Sequence, residues 1–170
     1  MCMRGGIIIT ISHLKEAMAP NFNINEEYKL GKFNFDFMAE FILKNEKYFL
    51  NKKNVVWGYE NREYVLAKKI ETITQGDVDE IQKIAENAMD EFVNLTENHM
   101  STHITVFVES SDIDENIKKN IKNISIKKSY MWGIKGWSDV RVIVFDYINK
   151  DLIFNKSSKE IIDFYKEVLI

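Results

Sequence analysis

Apolar residues recur along the chain with two periods, and the switches between them mark out its elements. Phe35, Phe37, Ala39, Phe41 and Leu43 alternate with Asp36, Met38, Glu40, Ile42 and Lys44, the pattern of a strand with one face in a core. Val55 to Ile70 reads as a hairpin turning at Asn61-Arg62. That register pairs Tyr59 with Tyr64 and Trp57 with Leu66, and leaves Val56, Gly58, Val65 and Ala67 on a reverse side small enough for a helix to approach. A helix follows at once. Thr74 and Asp77 have the spacing of a capping box, and Val78, Ile81, Ala85, Ala88, Phe92 and Leu95 recur at helical intervals to about Asn98. Ile104 to Val108 reads as a strand, and Ile113, Ile117 and Ile121 form the stripe of a short helix opened by Ser111. Asp151 to Asn155 returns as a strand. Ser157-Ser-Lys-Glu160 is a second capping box, ahead of a C-terminal helix that buries Ile161, Phe164, Tyr165, Val168 and Leu169. Near the start, Ser12 to Met18 forms a helix closed by Pro20, since the residue before a proline avoids the helical region.

This order predicts a single α+β domain over 1–170, with an N-terminal helix and polar connector (1–32) and a main body (33–170). Strands joined mostly by hairpins predict a largely antiparallel sheet of about five to seven strands, with helices packed on one side.

The stretch Ser129 to Tyr147 draws the chemistry together. Read as a hairpin with a two-residue turn at Lys135-Gly136, it pairs Trp132 with Asp139 and Tyr130 with Arg141. Tyr130, Trp132, Trp137, Asp139 and Arg141 then share one face, and Met131, Gly133, Ser138, Val140, Val142 and Val144 share the other. The small, β-branched side suits a helix. The aromatic and charged side is either an ordinary cross-strand ladder or the wall of a pocket. An arginine beside tryptophans is a composition common at binding hot spots. Glu40, between Met38 and Ile42, is a further candidate, as a carboxylate on a partly apolar strand face.

Charge and composition narrow the classes of function. The chain carries a net charge of −3 and three arginines, Arg4, Arg62 and Arg141, which argues against nucleic acid as a partner. Seven acids against Lys83 alone lie between Asp77 and Asn98, whereas Lys118, Lys119, Lys122, Lys127 and Lys128 crowd eleven residues. Such runs are ordinarily solvated faces. The single Cys2 allows no disulfide framework and no cysteine metal site, which suits a cytoplasmic location. Ile7 to Ile11 is too short to span a bilayer, so no membrane partner is expected. Glycine-rich phosphate loops and the Gly-x-Ser-x-Gly elbow are absent, and no cofactor is implied. His99 and His103 have the i, i+4 spacing of a helical metal pair, but no Glu follows the first and the segment straddles a helix end, so no metal is expected. Capping of the preceding helix is the plainer role.

The runs LGKFNFDFMAEF, NEKYF, HMSTHIT and GWSDVR, spread over roughly Leu30 to Tyr165, look similar to an uncharacterised family of proteins of unknown function from Gram-positive anaerobes. That resemblance implies a free-standing cytoplasmic bacterial domain and carries over no catalytic residue. The reading is therefore a small binding or interaction module for an unknown small molecule or protein, with a homodimer as a possible assembly. Its alternative is a hydrolase-type enzyme, in which Asp139 or Glu40 serves as general base, Arg141 holds an anionic substrate, and His99 or His103 completes the site.

Overall fold

The computed structural model describes residues 10–47 and 57–170; Cys2, Ile7, Val55 and Val56 lie outside them. Among the described residues the chain forms four α-helices, a seven-stranded sheet and a separate two-stranded ribbon. The elements run α1 (Thr10–Met18), β1 (Asn23–Glu26), β2 (Lys29–Leu30), β3 (Phe33–Asn34), β4 (Phe37–Lys47), β5 (Trp57–Lys69), α2 (Gln75–Phe92), β6 (His99–Ser110), α3 (Glu115–Asn123), β7 (Lys127–Ser129), β8 (Trp137–Asp146), β9 (Asp151–Phe154) and α4 (Ile162–Leu169). The spatial order of the large sheet is β1-β4-β5-β6-β8-β7, with β9 also on β8.

The fold is α+β, but the sheet is mixed. β5, β6 and β8 pair in parallel, and the outer pairs are antiparallel. The expected hairpin at Asn61-Arg62 does not form: β5 is one continuous strand that pairs with β4 from Phe37↔Ala67 to Lys47↔Trp57. A two-residue hairpin turn favours Gly, Asn or Asp at positions of positive φ, and an arginine there is unfavourable. With that turn gone, α2 and α3 become crossovers, and a strand-helix-strand crossover joins parallel strands. Both crossover helices lie on one face, as connections of one hand must when each new strand is added in the same direction.

Helices cover both faces of the sheet, not one. The first core lies under α2 and α3 and holds Tyr64, Leu66, Ile104, Val106 and the Val140-Val142-Val144 side of β8. The second lies under α1 and α4 and holds Phe37, Val65, Ala67, Phe107, Ile143 and Phe145. Val65 and Ala67 thus face away from α2, which packs on Tyr64 and Leu66 instead. Phe35 leaves the expected face of its strand and joins the first core. The Thr74–Asp77 capping box is formed in both directions, whereas Leu95 is exposed because α2 stops at Phe92 and Val93 turns extended. The second expected capping box is absent. Ser157 and Ser158 lie in a 3-10 turn, Lys156–Glu160, and α4 starts without a side-chain cap.

The far side of β8 is completed in two pieces, β7 against Trp137–Asp139 and β9 against Ile143–Asp146. Asn155, fully buried, fills the gap between them. Its Oδ1 accepts from Val142 N (3.0 Å), and its Nδ2 donates to Val140 O (3.0 Å) and Ile124 O (3.1 Å). Ser158 Oγ lies within hydrogen-bond reach of two acceptors, Val142 O (3.1 Å) and Asn155 Oδ1 (2.7 Å), and its single proton goes to one or is shared between them. A side-chain amide here does the work of a strand's peptide groups.

Two stability predictions follow from these contacts. Phe92 stacks on Tyr64 at 4.3 Å with planes 8° apart, so Phe92→Ala should cost about 3–5 kcal/mol in chemical denaturation. Asp146, at the end of β8, is fully buried, which alone would raise its pKa. The side-chain and backbone N–H groups of Asn149 and the backbone N–H groups of Ile113 and Asp112 outweigh burial and hold it below the ordinary carboxylate value. A folded-state pKa below the unfolded one gives stability that is complete above the unfolded value and is lost as pH falls through the folded one. Unfolding free energy should therefore decline below about pH 4, and Asp146→Asn should flatten that decline.

Candidate functional site

The parallel register across β5, β6 and β8 writes three rows onto the α1/α4 face. Asn61, Ser101 and Trp137 form one, Glu63, His103 and Asp139 the next, and Val65, Thr105 and Arg141 the third. Beyond them, Ala67, Phe107 and Ile143 are apolar and lie beneath α1 and α4. One half of this sheet face is core and the other is polar.

In the polar half, His103 donates from Nδ1 to Asp139 Oδ1 at 2.7 Å. Asp139 is 3% exposed, so its carboxylate fixes the tautomer and leaves the imidazole Nε2 as acceptor. Trp137 meets the His103 ring edge-on at 4.8 Å. Arg141, also 3% exposed, lies 3.7 Å from Glu63 through Nη1 and 3.7 Å from Glu160 through Nη2. These are ion-pair distances longer than hydrogen bonds. Its buried Nε has no hydrogen-bond partner among the described residues. Ser101 Oγ donates to Asn61 Oδ1 at 2.8 Å.

Tyr165 of α4 closes this polar half from above, stacked on Phe107 at 5.8 Å. Burial pushes its hydroxyl far above the usual tyrosine range, and the negative charge of Glu63 adds to the rise, while Thr105 and Arg141 pull weakly the other way. The phenol stays neutral and able to donate. Beside it opens a cleft of about 370 Å³, lined by the polar side chains of Asn21, Glu63, Thr105, Glu160 and Tyr165, with Met18, Phe22, Ile161 and Phe164 among its apolar ones. Glu63, Glu160 and Asp139 set three carboxylates on the face that holds the Arg141 cation.

Of the eight candidates read from sequence, the structure brings together Trp137, Asp139, Arg141 and His103. The other four lie elsewhere. Glu40 stands on the opposite face, beside Tyr64 in the pairing of β4 with β5. A bulge at Met100 shifts the β5–β6 register between Glu60↔His99 and Asn61↔Ser101, which turns His99 to that opposite face as well. There its Nδ1 bonds Lys135 O (2.6 Å) and its Nε2 bonds Thr102 Oγ1 (2.9 Å). The two histidines cannot share a metal, and among the described residues no three His, Cys, Asp or Glu side chains gather to hold one. Neither histidine caps α2, since both belong to β6.

Tyr130 and Trp132 also leave the expected face, because the two-residue turn at Lys135-Gly136 does not form. Lys127, not Trp132, is the partner of Asp139, and Tyr130 to Gly136 is a loop. Its Met131 and Trp132 have φ of 45° and 57°. Lysine at the first position of a two-residue turn disfavours both hairpin types, which favour Gly, Asn or Asp there. Tyr130 lies beneath α2, its hydroxyl 2.7 Å from Ser138 Oγ, and Trp132 is 91% exposed. Glu63, Thr105, Glu160 and Tyr165 were missed. Reading β5 as one strand would have placed Glu63 beside Val65 and revealed it.

The match to a family model covers residues 9–167, which includes every residue of this site. The chain belongs to the family described as Domain of unknown function (DUF8052). No curated protein and no solved structure matches it. Membership of the DUF8052 family agrees with the resemblance seen in the sequence to a family without assigned activity, and the site is read from its geometry alone.

Asp139→Ala would leave the largely buried Nδ1–H of His103 without its acceptor. Loss of about 1–3 kcal/mol is expected in urea unfolding, with Asp139→Asn, which keeps an acceptor oxygen, closer to wild type.

Proposed function

We propose that this protein is a cytoplasmic binding module for a small molecule that joins a cationic group to an apolar body. One observation carries the reading: the carboxylates of Glu63 and Glu160 line the cleft beside Phe22, Ile161 and Phe164, whereas Arg141, the cation that both approach, is buried. An anion entering there would meet carboxylates first. An amine or other cation would pair with Glu63 and Glu160, its apolar body would lie on Phe22, Ile161 and Phe164, and Tyr165 would donate to an acceptor on it. A volume of about 370 Å³ is at the lower end of small-molecule sites. The lone cysteine, Cys2, supports the reducing compartment.

The His103–Asp139 pair supports a second reading, a hydrolase-type enzyme. In it His103 would take a proton from water through Nε2 while Asp139 stabilises the imidazolium. Asp139 itself is committed to His103, and Glu40 stands behind the sheet, so neither suits the role of base.

Thermal-shift titration against apolar amines, with apolar carboxylates as controls, separates these ideas. A ligand at a hundredfold excess over Kd should stabilise by about 2.7 kcal/mol, or roughly 5–10 °C in a chain of this size, and Glu63→Gln should remove the shift. Stabilisation by carboxylates and not by amines would reverse the assignment of charge. Ester hydrolysis that disappears in both His103→Asn and Asp139→Asn would favour the enzyme.

A further inference from the structure

The loop between β7 and β8 is closely braced, yet it buries almost nothing at its tip. Tyr130 N donates to Gly136 O (2.9 Å), Lys135 N to Tyr130 O (3.2 Å), and His99 Nδ1 to Lys135 O (2.6 Å). A Cβ at Gly136 would fall 2.1 Å from Met100 O, so only glycine lets the base of the loop rest on the β6 bulge. Positive φ at the non-glycine residues Met131 and Trp132 is a backbone cost that a flexible connector would not carry. This framework presents Trp132 at 91%, Ile134 at 80% and Met131 at 63% exposure. Three large apolar side chains on a projecting tip contribute nothing to the core.

The segment that carries the tip is equally one-sided in charge. From Asn116 to Ser138 the chain has six lysines and no acid, within a protein of net charge −3. Lys118 pairs with Glu115 and Asp151. The other five form no ion pair among the described residues, although Glu86 and Asp90 of α2 share a shallow groove with Lys127 and Lys128.

We infer that this loop docks the protein on an anionic lipid bilayer, with Trp132, Ile134 and Met131 entering the interface and Lys127, Lys128 and Lys135 facing the headgroups. Tryptophan favours the level of the headgroups, and lysines near an anionic surface are attracted without fixed partners. A nucleic acid would instead draw on arginines and planar stacking, and this segment has no arginine and places Ile and Met at the tip. A protein groove would call for charges set in fixed geometry, whereas hydrated lysines on flexible stems suit a diffuse negative surface. No described helix is long and apolar enough to cross a membrane, and docking by a tip requires none. The surface is separate from the cleft and stands or falls without it.

Co-sedimentation with vesicles of phosphatidylcholine alone, and of phosphatidylcholine mixed with phosphatidylserine, tests the inference at low and high salt. Binding is expected only to the mixed vesicles, weakened by salt and by roughly fivefold for each of Lys127, Lys128 and Lys135 changed to Gln. Trp132→Ser with Ile134→Ser should abolish it while leaving the melting temperature unchanged, since both side chains are exposed. Three results would overturn the inference: no binding to mixed vesicles, binding that the double serine variant retains, or equal retention of the wild type on DNA with the same salt dependence.

Discussion

The parallel register of β6 between β5 and β8 is the constraint on which the site depends. Side chains alternate along a strand, so a slip of one residue would send His103 to the α2 face and bring Ile104 in its place. The register aligns Glu63, His103 and Asp139 in one row and Val65, Thr105 and Arg141 in the next. Aliphatic rows further along hold it, buried on both faces as parallel strands commonly are. Chemistry at one end of the sheet is thus positioned by packing at the other.

Burial explains why a cluster of charges can persist there. A guanidinium as enclosed as that of Arg141 needs opposite charge nearby, and Glu63 and Glu160 supply it without closing to hydrogen-bond distance. Asp139 is satisfied differently, through one short hydrogen bond from His103 Nδ1. The two carboxylate systems lie side by side, one fixed internally and the other facing the cleft, so they differ in how readily they can exchange a partner.

The sequence made some of this legible and hid the rest for identifiable reasons. Alternation along Trp137, Asp139 and Arg141 was a local signal, and it placed these three correctly on one face of β8. The capping box at Thr74 and the stripe from Val78 to Phe92 were local too, and they hold in α2. The turns misled. Asn61-Arg62 and Lys135-Gly136 looked like loops because polar residues interrupted apolar runs, yet at Asn61 and Glu63 the polarity belongs to an open part of the sheet face. Which strands pair across a helix is a long-range matter, so the mixed sheet, the second helical layer and the approach of Glu160 and Tyr165 to β6 were beyond a pattern read over neighbouring residues. The bulge at Met100 left no local trace either, and it alone decides that His99 and His103 belong to different faces.

Asn155 has a consequence for association. A long strand with bare peptide groups invites a strand from another molecule. Between Trp137 and Asp146 the side of β8 away from β6 meets first a three-residue strand, then the Asn155 amide, then a four-residue strand. An incoming chain finds no uninterrupted ladder to extend, only two short edges kept apart by a buried side chain. One asparagine thereby acts as a stopper against templated strand addition, at the place where the most apolar strand of the sheet would otherwise lie open.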